Sequence, residues 1–162
     1  MNAFRSLAIL LLAACCLGPA RADSGPEADR AAIGQVVQQF QAALIARDGK
    51  TLGSLFLQDH DSWLSVLDER TYTAVKQKHP EVRRVHKSSW RTFADMIQNG
   101  KGPVEERFYN VRIDTNGVVA SVWFDFDFLA DGKVTNHGAE SWQMVRAEDG
   151  WKISAMLFSI DR

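Results

Sequence analysis

The chain has 162 residues, within the usual size of a single domain, and carries 19 basic against 20 acidic side chains. Only Cys15 and Cys16 occur, so a chain that has lost its first residues has no disulfide, no thiol nucleophile and no cysteine–metal site. Beyond residue 22 the balance is 17 basic against 20 acidic, a net charge of −3, which argues against the basic face that a nucleic-acid binder needs.

Residues 1–22 read as a signal peptide. Arg5 supplies a short positive start, Leu7 to Leu17 is apolar without a charge, and Ala20-Arg21-Ala22 has the small-x-small pattern of a cleavage site before Asp23. The apolar run is short of the roughly 20 residues that span a membrane. Leu12-Ala13-Ala14-Cys15 also resembles the lipobox of bacterial lipoproteins, with acylation at Cys15. Plain export to the periplasm or medium is favoured. Membrane attachment enters only through lipidation at Cys15.

Residues 23–28, with Gly25 and Pro26, read as a flexible linker, and 29–162 as the domain. Ile33, Val36, Val37, Phe40, Leu44 and Ile45 recur at three and four, which predicts a helix with one apolar stripe, N-capped by Asp29 and ended by Asp48-Gly49. A short helix over Lys50–Leu57 follows, then an extended stretch over Trp63–Leu67. Glu69–Lys78 is helix-like, and Ser88 or Ser89 caps a helix over Trp90–Gln98 with Trp90, Phe93, Met96 and Ile97 on one face. The basic run from Lys76 to Lys87 is a solvated surface, or else a rim that attracts anions. After Pro103 the period changes to two. Four strands are predicted, Val104–Asp114, Val118–Leu129, Val134–Arg146 and Trp151–Ile160, separated by Asn116-Gly117, Asp131-Gly132 and Asp149-Gly150. Helices followed by an antiparallel meander give an α+β domain with its helices on one sheet face.

Several segments are similar to the cone-shaped nuclear transport factor 2-like superfamily. Gln39-Phe40-Gln-Ala-Ala-Leu44, Asp48-Gly49 and Leu55-Phe56 resemble its opening helices. Phe126-Asp127-Phe128, Asp131-Gly132-Lys133, Gly138, Trp142 to Val145 and Gly150-Trp151-Lys152-Ile153 resemble a bacterial branch labelled SnoaL-like or lumazine-binding. The resemblance implies a curved sheet closing over a cavity, and dimerisation through the outer sheet face. The fold hosts isomerases, dehydratases and many non-enzymes. Compared with the ketosteroid isomerases, the oxyanion-binding tyrosine falls at Phe40 and the base near Trp63 or Leu64. Glu140 alone has a counterpart, an acid on a late strand.

In the second predicted strand Val118, Ala120, Val122, Phe124, Phe126 and Phe128 share an apolar face that should meet the helices. Asp125 and Asp127 fall opposite, as solvated or interface-edge acids. In the third, Gly138, Glu140, Trp142 and Met144 share one side. If Trp142 points inward, so does Glu140, either as a group able to move a proton or as a structural acid paired with an Arg or Tyr. His86 and His137 have no partner at ligand spacing, no Gly-x-Ser-x-Gly elbow or phosphate loop occurs, and no metal or cofactor is expected. The predicted pocket comprises Phe40, Trp63, Trp90, Tyr109, Phe124, Phe126, Glu140 and Trp142, with Phe93 and Phe158 among further candidates. It suits a small apolar or aromatic molecule. The expectation is an exported, non-catalytic binding domain. The alternatives are a cofactor-independent lyase or isomerase using Glu140, and a structural dimerisation module.

Overall fold

The computed structural model describes residues 25–161. The leader, its cleavage site and Cys15 lie outside the described residues. Helix α1 spans Pro26–Ala46, with Gly25 at the N-cap and Pro26 at the first helical position, where a missing N–H costs nothing. Of the expected linker, residues 26–28 are therefore helix. Asp29 is not a cap. It is buried one turn inside α1, and its Oδ1 accepts a 2.8 Å hydrogen bond from Arg146. Ile33, Val36, Val37, Phe40 and Leu44 are buried as predicted, whereas Ile45 is rotated by about 100° from Leu44 and exposed.

Arg47 adopts the left-handed conformation and ends α1, and Asp48 caps the next helix, accepting from Thr51 N at 2.8 Å. Helix α2 spans Gly49–Ser54, shorter than expected, with Leu55 and Phe56 buried just past its end. Strand β1 is Trp63–Leu67, α3 is Glu69–Lys78 under an Asp68 cap, and α4 is Trp90–Asn99 under a Ser89 cap. Between α3 and α4 lies a strand without a sequence signal, β2 (Val85–Ser88), all four residues of which are exposed. The four long strands follow as predicted within two residues: β3 (Val104–Thr115), β4 (Val119–Ala130), β5 (Lys133–Ala147) and β6 (Gly150–Ile160). The β4–β5 turn has positive φ at both Asp131 and Gly132, the mirror-image turn that matches strand twist.

The six strands form one sheet in the order β2-β1-β6-β5-β4-β3. The β3–β6 meander is antiparallel, and β1 joins β6 in parallel. One sheet face receives α1, and the core of Ile33, Phe40, Leu44, Val122, Phe124, Trp142 and Ile153 lies between them. Three irregularities in the meander decide which side chains enter that space. In β3 the register shifts between Tyr109 and Arg112, where Asn110 has φ 54°. In β6 Gln143 pairs with Ala155 but Met144 with Ile153, so Ser154 is the extra residue. The bulge thus falls on β6, while a shift between Phe128 and Leu129 leaves Thr135 extra on β5, whose alternation is unbroken from Asn136 to Met144.

Candidate functional site

Unbroken alternation in β5 carries Glu140 inward with Trp142 and Met144, as the sequence predicts. A second acid arrives from β3. Upstream of its bulge Val104, Glu106 and Phe108 face inward, and the register Glu106–Phe128–Asn136 across β3, β4 and β5 sets Glu106 two inward positions from Glu140. Glu106 is 5% and Glu140 3% exposed. The Glu106 main chain is tied to α1 by Gln41, whose Nε2 donates to its carbonyl at 2.9 Å.

Both carboxyls line a cavity of about 610 Å³ between α4, α1 and the concave sheet, a size suited to a drug-sized ligand. Its walls are Phe40, Trp63, Phe93, Phe126, Phe128 and Phe158. The rings brace one another: Trp63 lies 5.1 Å from Phe93 and meets Phe158 edge-on at 5.9 Å, and Phe126 meets Phe158 edge-on at 6.1 Å. Such offset geometries are the favourable ones for aromatic pairs. The polar atoms come from the two glutamates together with Ser65, Ser88, Thr92 and Asn136.

The two acids have unequal support. Trp142 Nε1 donates to Glu140 Oε1. No described residue donates to the Glu106 carboxyl, whose oxygens meet the cavity. Burial pushes the Glu140 carboxyl up to about 8, against a smaller lowering by the Trp142 hydrogen bond. Burial, and then the charge of Glu140, pushes Glu106 well above the usual carboxylate range. No Lys, Arg or His is among the lining residues. The pair therefore holds protons at neutral pH that ordinary carboxylates have lost, and can donate hydrogen bonds or exchange a proton with a bound molecule.

Of the eight predicted pocket residues, Phe40, Trp63, Phe126 and Glu140 line this cavity and four do not. Phe124 and Trp142 point inward but are wholly buried beneath the floor, Trp142 5.0 Å from Phe40 and edge-on to Phe124. Trp90 turns away toward α2: it stacks on Phe56 at 5.5 Å, and its Nε1 donates to the His60 carbonyl. Helix α4 is thus split between faces, with Trp90, Ala94 and Ile97 in the core and Thr92, Phe93 and Met96 at the cavity. Tyr109 lies on the opposite sheet face, 43% exposed, donating to Asp127 Oδ2 at 3.0 Å. Asp125 is held on that face by Asn110 at 2.7 Å. Sequence reasoning missed Glu106, whose signal was its alternation with Val104 and Phe108. A larger open groove of about 870 Å³ between α2, α4 and the β5–β6 turn has Lys50, Asp59, Arg91 and Asp95 on its rim, all exposed, and lacks a buried acid.

A helix-covered, one-sided curved sheet with an aromatic cavity at its concave face defines a conical α+β fold. Solved structures place it. The chain superimposes on a nuclear transport factor 2-like protein of unknown function from Shewanella baltica with TM-score 0.58 at 16% identity, covering 82% of this chain and 94% of that one. A protein of the same family from Streptomyces avermitilis, provisionally named a dehydratase, matches with TM-score 0.61 at 20% identity over 85% and 99%. Another, from Novosphingobium aromaticivorans and provisionally named a scytalone dehydratase, matches with TM-score 0.59 at 14% identity over 82% and 84%. The chain has the nuclear transport factor 2-like fold. No family model matches its sequence, and no curated protein matches it either.

Proposed function

We propose that the protein is an exported small-molecule-binding domain whose ligand occupies the conical cavity, its apolar body against the aromatic walls and its polar end at Glu106 and Glu140. The observation that carries this reading is two buried carboxyls facing one aromatic-lined space of ligand size, an arrangement costly to the fold unless it serves a partner. The test is thermal shift and tryptophan fluorescence against a library of small aromatic molecules. Trp63 is the tryptophan on the cavity wall, so Trp63→Phe should remove most of the fluorescence response and leave the melting shift. A library without a single hit would remove the binding reading. Mass spectrometry of the protein purified from its exporting cell tests the compartment. A chain beginning at Asp23 supports cleavage and release, and a diacylated Cys15 supports anchoring.

Two acids in one cavity favour a second reading, proton transfer on a bound substrate without a cofactor. Two carboxyls that keep their protons past neutrality can give one to a bound substrate, and take one back once Glu140 ionises near pH 8. A ligand returned unchanged, without hydrogen exchange in heavy water, supports the binder. Exchange or loss of water that disappears in Glu140→Gln supports the enzyme. We also propose that the outer face of the sheet mediates self-association.

A further inference from the structure

Glu106 and Glu140 occupy the cavity with no basic side chain among its lining residues to balance either. Glu106 receives no hydrogen bond from a described residue although it is almost wholly buried. Trp142 satisfies one oxygen of Glu140. Every other lining side chain, from α1, β1, β2, α4, β4, β5 and β6, is aromatic, aliphatic, thioether, hydroxyl or amide, so none of them titrates between about pH 4 and 9. A molecule that completes this site brings hydrogen-bond donors for carboxylate oxygens, and the aromatic walls offer the negative faces of their rings. A neutral alcohol meets only the first requirement. An anion is disfavoured by the ring faces and, wherever the acids have ionised, by their charge.

We propose that the cavity binds an organic ammonium, a primary or secondary amine with an aryl or alkyl body, its N–H groups held by Glu106 and Glu140 and its body against Phe93, Phe126 and Phe158. This rests on the reading of the cavity as a binding site. Charge-assisted hydrogen bonds and a ring face are both stronger in a site that excludes water. Proton balance follows from the chemistry. The ammonium enters with its own protons, the pair holds at least one proton near neutrality, and binding drives that proton from a carboxyl into solvent. Affinity for the ammonium therefore rises with pH by about tenfold per unit until the carboxyls are already ionised, with Glu140 setting the upper limit near pH 8. Above about pH 10 the amine loses its own charge and affinity falls.

The experiment is isothermal titration calorimetry of the protein with phenylbutylamine, phenylbutanol and phenylbutyrate, which share a body and differ in head group. Each is run in two buffers of different ionisation enthalpy. The amine is expected to bind at least about tenfold tighter than the alcohol, with phenylbutyrate weakest and with proton release for the amine alone. Glu106→Gln, which keeps shape and removes the charge, should weaken the amine about tenfold and leave the alcohol within about twofold. An alcohol that binds as tightly as the amine, an amine that binds without proton release, or an amine indifferent to Glu106→Gln overturns the ammonium inference while leaving the cavity a binding site. If none of the three binds, the binding-site reading itself fails and the inference with it.

Discussion

A carboxyl enclosed by phenyl rings keeps its proton because ionisation would strand a charge where water cannot reach it. That applies to Glu140 and Glu106, and it makes stability depend on pH with a definite sign. The unfolded chain ionises both groups near 4.5, while the folded chain holds Glu140 protonated up to about 8 and Glu106 well above the ordinary range. Below the unfolded value both states are protonated and neither glutamate matters. As pH rises toward 8 the unfolded state releases protons that the folded state retains, and stability falls by roughly 1.4 kcal/mol per pH unit for each such group. Glu140→Gln keeps an oxygen for Trp142 and cannot ionise. Urea unfolding should therefore find it equal to the wild type near pH 4.5 and several kcal/mol more stable at pH 8. A stability difference independent of pH would show that Glu140 is ionised in the fold. Half of this pair was legible from residues. Glu140 sits in a strand whose alternation runs unbroken from Gly138 to Met144, whereas Glu106 precedes a bulge and is flanked by Glu105 and Arg107, whose ion pair at 2.7 Å on the other side reads as ordinary surface.

Strand parity is set by bulges, and bulges are poorly written in composition. Tyr109 was placed in the pocket for being aromatic, yet Phe108 is inward and Tyr109, next along the strand, must be outward. Strand β2 escaped because an edge strand with His86 and Lys87 has no buried face to impose alternation, and charge on an edge is what discourages pairing with other chains. Turns and the Ser89 cap were easier, since Asp-Gly and a Ser cap act through one local hydrogen bond or one dihedral, whereas Asp29 is drawn away from capping by Arg146. Two contacts between elements give further tests. A Cβ on Gly138 would stand 2.3 Å from the Ser159 carbonyl oxygen on β6, so space rather than backbone freedom requires glycine there. Gly138→Ala should cost about 1–3 kcal/mol in urea unfolding by forcing β5 from β6 beside the cavity floor. At the far end of α1 the Asp29–Arg146 pair joins the helix to β5, with the Asp29 side chain 3% exposed. Asp29→Ala should cost about 3 kcal/mol by leaving the guanidinium without its carboxylate. Asp29→Glu should fail to rescue, because Gly117 already lies 3.2 Å from an Asp29 oxygen when given a Cβ, which marks how close the turn comes.

At the scale of the whole molecule the sheet has one face for the helices and the cavity and another left bare by the described residues. That bare face carries a continuous row across the strands: Trp123 on β4 is opposite Ser141 on β5, Ser141 opposite Leu157 on β6, and Leu157 opposite Leu64 on β1. Trp123 is 44% and Leu157 49% exposed. The row ends at Arg112 on one side, its guanidinium 6.0 Å from the Trp123 ring centroid, and at Lys87 on the other. The outer-face acids do not interrupt it, since Asp125 and Asp127 are held by Asn110 and Tyr109 at the β3 edge. An apolar strip rimmed by cations and by satisfied acids resembles a self-complementary surface more than a solvated one, because two-fold packing would set each Trp123 against the partner's strip and leave the charges at the rim. Sedimentation equilibrium is expected to find a dimer with micromolar or tighter affinity. Trp123→Glu, which places a charge at the centre of the strip, should shift it to monomer by at least about a hundredfold in Kd. The substitution lies on the face opposite the cavity, so binding of small molecules should persist in the monomer. A wild type that stays monomeric at high concentration would leave the outer face without a partner of its own kind. If Trp123→Glu instead lost ligand binding along with dimerisation, the cavity would depend on assembly, and the concave face would need the second copy to hold its shape.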